Sequence, residues 1–254
     1  MHKFNSNGVE IAFDDEGQGE PVLLIHGFAS NGRVNWLDTG WVKFLLDAGF
    51  RVITIDNRGH GESEKLYDSR HYEAAEMAED ARRLLDHLAI PRCHLMGYSM
   101  GARISAFLVT AHPTRVRDAV FAGLAANMIK GLGGGAEIAL GLEAPTRDDV
   151  QDLTAKAFRY FAEQTKSDLK ALAACIRSAR VKITPEMLSH VKAPVLVVAG
   201  GADEVAGNVQ TLVDAIPGST GLTLLHRNHM NAVGDKQYKE ATAAFFKSHP
   251  LAEN

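Results

Sequence analysis

The sequence predicts an α/β architecture: a mostly parallel central sheet with helices on both faces, an N-terminal antiparallel hairpin and a small helical cap. Three observations carry this. Short apolar runs rich in β-branched residues recur along the chain, and amphipathic helical patterns fall between them. That rhythm breaks between Leu124 and Thr184, where helical segments succeed one another without a strand.

The elements follow in order. Lys3–Asn5 and Val9–Asp14, joined by Ser6-Asn7-Gly8, read as a hairpin at the sheet edge. Pro21–Ile25, Arg51–Ile55, Arg92–Gly97, Ala119–Ala122, Pro194–Ala199 and Leu222–Leu225 read as strands covered on both faces, because their apolarity is continuous rather than alternating. Between Tyr72 and Leu88, Met77, Ala81, Leu84, Leu85 and Leu88 return at three- and four-residue steps, with Glu76, Glu79, Asp80, Arg82 and Arg83 on the other face. Ile104, Phe107, Leu108 and Ala111 repeat the pattern, as do Val209, Leu212, Val213 and Ile216, then Tyr238, Ala241 and Phe245. Strands joined through helices run parallel, since parallel neighbours need a crossover. Residues 1–123 and 186–254 are therefore assigned to one core domain and residues 124–185 to a helical cap insertion. The cap opens on Gly131-Leu132-Gly133-Gly134-Gly135, a glycine-dense stretch that reads equally as a connector or a hinge.

Composition narrows the function. With 254 residues, 46% hydrophobic and 23% charged, the chain has enough apolar residues for one full core. A net charge of −4 and a pI near 6.3 supply no field for nucleic acid or an anionic membrane, so the expected partner is a small molecule. The opening Met-His-Lys-Phe-Asn-Ser-Asn-Gly lacks the apolar core of a signal peptide, and no run approaches the roughly 18 apolar residues of a membrane span. A cytoplasmic location is expected. Cys93 and Cys175, far apart in apolar settings, read as packed side chains rather than a disulfide framework.

Gly97-Tyr98-Ser99-Met100-Gly101 lies where an apolar strand gives way to a helical pattern, the context in which a nucleophile elbow forms. A chain with 23 glycines supplies such a pattern by chance about one time in ten, so the strand-to-helix context is what gives it force. In a sharp turn of this kind the central residue is strained, and side chains at the flanking glycines would strike the neighbouring backbone. Ser99 is the expected nucleophile, and the Met100 amide at the helix N-terminus is an expected oxyanion donor.

A serine hydroxyl needs a base, and the base needs a group that fixes its tautomer. His229, in Arg227-Asn228-His229-Met230-Asn231 beyond the strand ending at Leu225, is the preferred base, with His226 as its rival at the strand end. Asp203 follows Pro194–Ala199 in Gly200-Gly201-Ala202-Asp203 and is the preferred acid, with Glu204 beside it as the alternative. His26-Gly27-Phe28-Ala29 follows the strand Pro21–Ile25, and the Phe28 N–H is expected to be the second oxyanion donor. The chain order Ser99, Asp203, His229 is that of the α/β-hydrolase triad.

With these motifs, and with Asp56-Asn57-Arg58-Gly59-His60-Gly61-Glu62-Ser63, nearly the whole chain resembles the α/β-hydrolase superfamily, in particular its small serine esterase, lactonase and perhydrolase branch. The resemblance implies the α/β-hydrolase fold. It makes the Asp56–Ser63 stretch a structural loop and His26 and His60 scaffold, and Asn228 stands where that family often has glycine. Dehalogenases and epoxide hydrolases of this fold carry aspartate at the elbow, so Ser99 argues against their chemistry.

The expected activity is hydrolysis of carboxylic esters of small, mostly apolar acyl groups through an acyl-enzyme. The same triad also serves a lactonase, a thioesterase, a C–C hydrolase or a perhydrolase, and a slow-turnover ligand-binding receptor is the alternative of another class. An interaction protein on an inactive hydrolase fold is disfavoured because every catalytic position is filled. The expected substrate pocket has Tyr98 beside Phe28 and Met100 at its floor and Met128, Ile129, Leu132, Leu140, Phe158 and Phe161 above. No cofactor or metal is expected: Gly131–Gly135 lacks the Lys-Ser/Thr ending of a phosphate cradle, and the histidines do not cluster at ligand spacing.

Overall fold

The computed structural model describes residues 1–131, 133–178 and 181–251. The strands are β1 (His2–Ser6), β2 (Val9–Glu16), β3 (Pro21–Ile25), β4 (Arg51–Ile55), β5 (Cys93–Tyr98), β6 (Val116–Ala122), β7 (Val195–Gly200) and β8 (Thr220–Leu224). They form one sheet in the order β1-β2-β4-β3-β5-β6-β7-β8. The hairpin β1–β2 and the pair β2–β4 are antiparallel, and every later pairing is parallel. The carboxyl ends of β3, β5, β6, β7 and β8 therefore share one edge of the sheet.

Strand alternation divides the core between two faces. Val22, Leu24, Met96, Val120 and Val198 pack with Trp41 and Leu45 of α1 (Trp41–Asp47) and Tyr238 and Phe246 of α10 (Lys236–Lys247). Leu23, Ile25, Leu95 and Val197 face the other way, against α2 (Ala74–His87), α3 (Met100–Ala111) and α9 (Val209–Val213). Burial on both faces is why these strands read as continuous apolar runs. At about 25 cal/mol per Å², such enclosed Leu, Ile and Val side chains each contribute roughly 1.5–3 kcal/mol.

Between β6 and β7 lie α4 (Ala126–Lys130), α5 (Gly135–Glu143), α6 (Leu153–Gln164), α7 (Leu169–Arg177) and α8 (Pro185–Ser189). A separate apolar cluster, with Ile138, Leu142, Ala155, Ala162 and Leu172, draws on α5, α6 and α7 and reaches Phe28 and Ala29 of the core. Met128 of α4 and Leu188 of α8 instead pack with the sheet. Arg159 of α6 donates to the carbonyls of Gly141, Leu142 and Ala144, satisfying groups that the end of α5 leaves open. No described helix is long and apolar enough to cross a membrane.

Several expected boundaries move. β6 begins at Val116, because the polar pair Arg117-Asp118 sits inside the strand and Asp118 is buried against His94 at 2.9 Å. β8 spans Thr220–Leu224 rather than Leu222–Leu225. As the sheet's edge strand it buries only Leu224, and Leu225 lies past it, 74% exposed. The helix α1 has no predicted counterpart, since seven residues show too few turns for a period.

Candidate active site

The turn from β5 to α3 places Ser99 at φ 56°, ψ −113°, a conformation that costs a side-chain-bearing residue of order 1–3 kcal/mol. The backbone around it leaves no room for anything but glycine. A Cβ on Gly101 would lie 1.9 Å from the Ile25 carbonyl oxygen, and one on Gly97 would lie 2.2 Å from that of Gly101. The Ser99 N–H donates to Ala122 O at 2.7 Å, which fastens the elbow to β6.

Asp203 and His229 meet Ser99 at the same edge. His229 Nε2 lies 3.1 Å from Ser99 Oγ, and His229 Nδ1 lies 3.0 and 2.9 Å from the two carboxylate oxygens of Asp203. With the carboxylate accepting from Nδ1–H, the Nε2 lone pair faces the hydroxyl. The Asp203 side chain is wholly buried and that of His229 is 19% exposed. The Ala206 N–H donates to Asp203 Oδ1 at 2.9 Å, holding the carboxylate from behind. Asn228 Oδ1 accepts from the Met230 and Asn231 amides at 3.0 Å, and Asn231 Oδ1 accepts from the Asn228 amide at 2.8 Å. That reciprocal clasp gives Asn228 a role that a glycine there would not supply. The rivals stand apart: His226 is an exposed turn residue at φ 60°, and Glu204 is exposed.

The loop after β3 forms a turn in which Ser30 N–H reaches Gly27 O, with Phe28 and Ala29 at its centre. Among the hydrogen bonds of the described residues, none is made by the backbone N–H of Phe28 or of Met100. Two uncommitted N–H donors thus stand next to Ser99 and next to Gly27, where a Cβ would lie 3.4 Å from that of Ser99. Behind the turn, His26 Nδ1–H donates to Gly27 O at 2.7 Å and His26 Nε2 accepts the Asn57 amide at 2.9 Å. Burial holds His26 down at about 4, and burial with His26 nearby holds His60 at about 3, so both are neutral. Arg58 forms a buried two-bond pair with Asp80, at 2.7 and 2.8 Å, which anchors the Asp56–Ser63 loop to α2.

The expected pocket residues disperse. Tyr98 is buried on the α1 and α10 face, with its hydroxyl donating to His229 O at 2.6 Å and its ring centroid 5.4 Å from that of the imidazole. It supports the histidine loop, where a pocket floor was expected. Leu140 is 64% exposed on the outer side of α5, because Ile138, Ala139 and Leu142 take the inward positions. Met128 is buried in the core, and Leu132 lies outside the described residues. Phe28, Met100 and Ile129 are partly buried at the margin of the sheet cluster, and Phe158 and Phe161 border the α5–α7 cluster. The Phe158 ring meets that of Phe28 at 5.7 Å. A cleft of about 730 Å³ lined by Tyr67, Ser69, Glu143, Lys170, Ala174 and Arg177 includes none of these residues. Among the described residues no group of three His, Cys, Asp or Glu is arranged to hold a metal ion. Sequence reading missed Asn35 and Thr165, polar residues with no motif, which bond Gly27 and Ala29 of the turn, while Asn57, inside the Asp56–Ser63 stretch, donates to His26 Nε2.

Residues 20–132 match the family described as the alpha/beta hydrolase fold. That stretch holds the Phe28 turn and Ser99. The chain is 42% identical over 115 residues to the non-heme chloroperoxidase CPO-A1 of Kitasatospora aureofaciens, a match covering 45% of this chain and 40% of that protein. Among solved structures it resembles a bromoperoxidase from Bacillus anthracis, with a TM-score of 0.73 and 28% identity over 94% of this chain and 96% of that one. Est816, described as an N-acyl homoserine lactone degrading enzyme, superposes with a TM-score of 0.71 and 26% identity over 96% of this chain and all of that one. Fold and likeness agree on the α/β-hydrolase fold, and the chain spans less than half the length of the curated relatives it matches.

Proposed function

We propose that the protein is a serine hydrolase that cleaves carboxylic esters of small, mostly apolar acyl groups. The observation that carries this is His229, which spans Ser99 Oγ at 3.1 Å and Asp203 at 2.9 Å. Ser99 Oγ attacks the ester carbonyl while His229 takes its proton, Asp203 steadies the imidazolium, and the Phe28 and Met100 amides receive the oxyanion. His229 then returns the proton to the departing alkoxide. Water, deprotonated by His229, releases the acid and restores Ser99.

The apolar acyl preference rests on Phe28 and Met100, whose half-buried side chains flank the nucleophile, and on Phe158 beside Phe28. Turnover of p-nitrophenyl acetate and butyrate tests the mechanism. Ser99→Ala should lose about 10⁴- to 10⁶-fold in kcat. Retained wild-type turnover would refute it. Likeness to a chloroperoxidase and to a lactone-degrading enzyme supports a second reading, in which hydrogen peroxide replaces water to give a peracid, or the ester is a lactone. Substrate panels with and without peroxide separate these, and rapid multiple turnover excludes a slow-turnover receptor.

A further inference from the structure

The turn that carries the Phe28 amide is held from two directions. From the sheet side, Asn35 Oδ1 accepts the Gly27 amide at 3.1 Å and His26 donates to Gly27 O at 2.7 Å. From the helical layer, Thr165 at the end of α6 places its Oγ1 2.9 Å from Ala29 O. Ala29 is fully buried and adopts φ 58°, a left-handed conformation that alanine takes only when its surroundings impose it. Among the hydrogen bonds of the described residues, that from Thr165 is the one that reaches the Ala29 carbonyl.

The Thr165 hydroxyl has other acceptors within reach. Phe161 O and Ala162 O both lie at 3.1 Å, and Ser167 Oγ lies at 2.8 Å. With the Ser167 hydroxyl donating to Thr165 Oγ1, the Thr165 proton is left for its nearest carbonyl, that of Ala29. The Phe158 ring, from the same helix, rests edge-on against Phe28 at 62°.

We propose that Thr165 is a positioning residue for the oxyanion: its hydroxyl couples α6 to the strained turn and thereby aims the Phe28 N–H at the charge developing next to Ser99. This rests on the serine-hydrolase reading above. Contacts that a substrate makes with α6 would then reach the rate of the chemical step as well as binding.

The experiment compares wild type with Thr165→Val, which keeps the volume and removes the donor, and with Thr165→Ser, which keeps the donor. Three constants are read in each: kcat and KM for p-nitrophenyl butyrate, and the inhibition constant of butylboronic acid. That probe accepts Ser99 Oγ at boron, passes the serine proton to His229 and places an oxygen where the oxyanion forms. Outright loss of one oxyanion donor costs about 10²- to 10³-fold, and a misaimed one costs less. Thr165→Val should therefore lower kcat about tenfold and weaken butylboronic acid by a similar factor, with KM within about twofold and Thr165→Ser close to wild type. Should Thr165→Val not fold, Thr165→Cys, of similar volume and weaker donor strength, is read by the same constants. Wild-type constants in the valine or cysteine variant, or a fall in kcat with unchanged boronic-acid affinity, overturn the proposal and leave the hydrolase reading standing. A wild-type protein inert toward esters and blind to the boronic acid overturns both.

Discussion

Acidification should weaken this protein over a window set by two buried histidines behind the Gly27–Ser30 turn. His26 and His60 are wholly enclosed, with ring centroids 5.3 Å apart. Burial holds the first at about 4 and the second at about 3. Each Nδ1–H is committed to a carbonyl, of Gly27 and Arg58, and protonating His26 Nε2 would set a donor against the Asn57 amide. In the unfolded chain both take protons near 6.5. Below that pH the unfolded state binds two protons that the native state refuses, so stability is fully present above about 6.5 and falls as the pH drops toward 4 and then 3. Between pH 7 and pH 5 each histidine removes about 2 kcal/mol, and the pair about 3–4 kcal/mol, a large share of the roughly 5–15 kcal/mol that holds a domain together. Urea unfolding at these two pH values measures the loss, and ring NMR resonances at pH 5 should report both imidazoles neutral. Stability that is flat or rises between pH 7 and pH 5, or a native His26 that titrates near 6.5, refutes the reasoning.

Three further outcomes follow from close contacts. Gly101→Ala should cost more than about 3 kcal/mol or prevent folding, seen by thermal denaturation, because its Cβ would sit 1.9 Å from Ile25 O and 2.8 Å from His26 O. Tyr98→Phe keeps the ring but leaves His229 O without its 2.6 Å donor. It should lower unfolding free energy by about 1–3 kcal/mol and slow p-nitrophenyl butyrate turnover at an unchanged KM. Leu140→Ser, on a side chain that is 64% exposed, should leave stability within about 0.5 kcal/mol and turnover unaltered.

What the sequence revealed divides along a physical line. β3 and β4 match their predicted bounds residue for residue, because strands covered on both faces are apolar from end to end. Asp118 broke that signal in β6, since its partner His94 is 24 residues away and nothing local announces the pairing. Ser99, Asp203 and His229 were legible because each stands just past a strand, and strand ends are what apolar runs mark best. The pocket was not. Ile138, Ala139, Leu140 and Leu142 wrap most of the nine-residue α5, so no period favours an inward face for Leu140. Tyr98 is instructive in another way: alternation from Met96 already places it on the α1 and α10 face, and its position inside the elbow motif drew attention to the substrate instead.

The same alternation explains how the histidine reaches the serine at all. β5 and β8 are separated by β6 and β7, three strand spacings or roughly 14 Å, which no imidazole spans from the end of its own strand. The chain beyond Leu224 must therefore fold back across β7 before it presents His229. Gly200 makes that crossing possible, because a Cβ there would lie 2.1 Å from Arg227 O, and the Ala202 N–H bonds to that same carbonyl at 2.9 Å. Asp203 is thereby delivered beside the returning loop, and Tyr98, reaching up from the end of β5, grips the loop at the carbonyl of His229. The distance between Ser99 and His229 is thus set by backbone contacts on three strands, with α5 and α7 outside that frame. The helical layer meets this frame at the Phe28 turn, through Thr165 and Phe158 of α6. Changes in the helical layer can accordingly move the Phe28 turn without disturbing the contacts of His229 with Ser99 and Asp203.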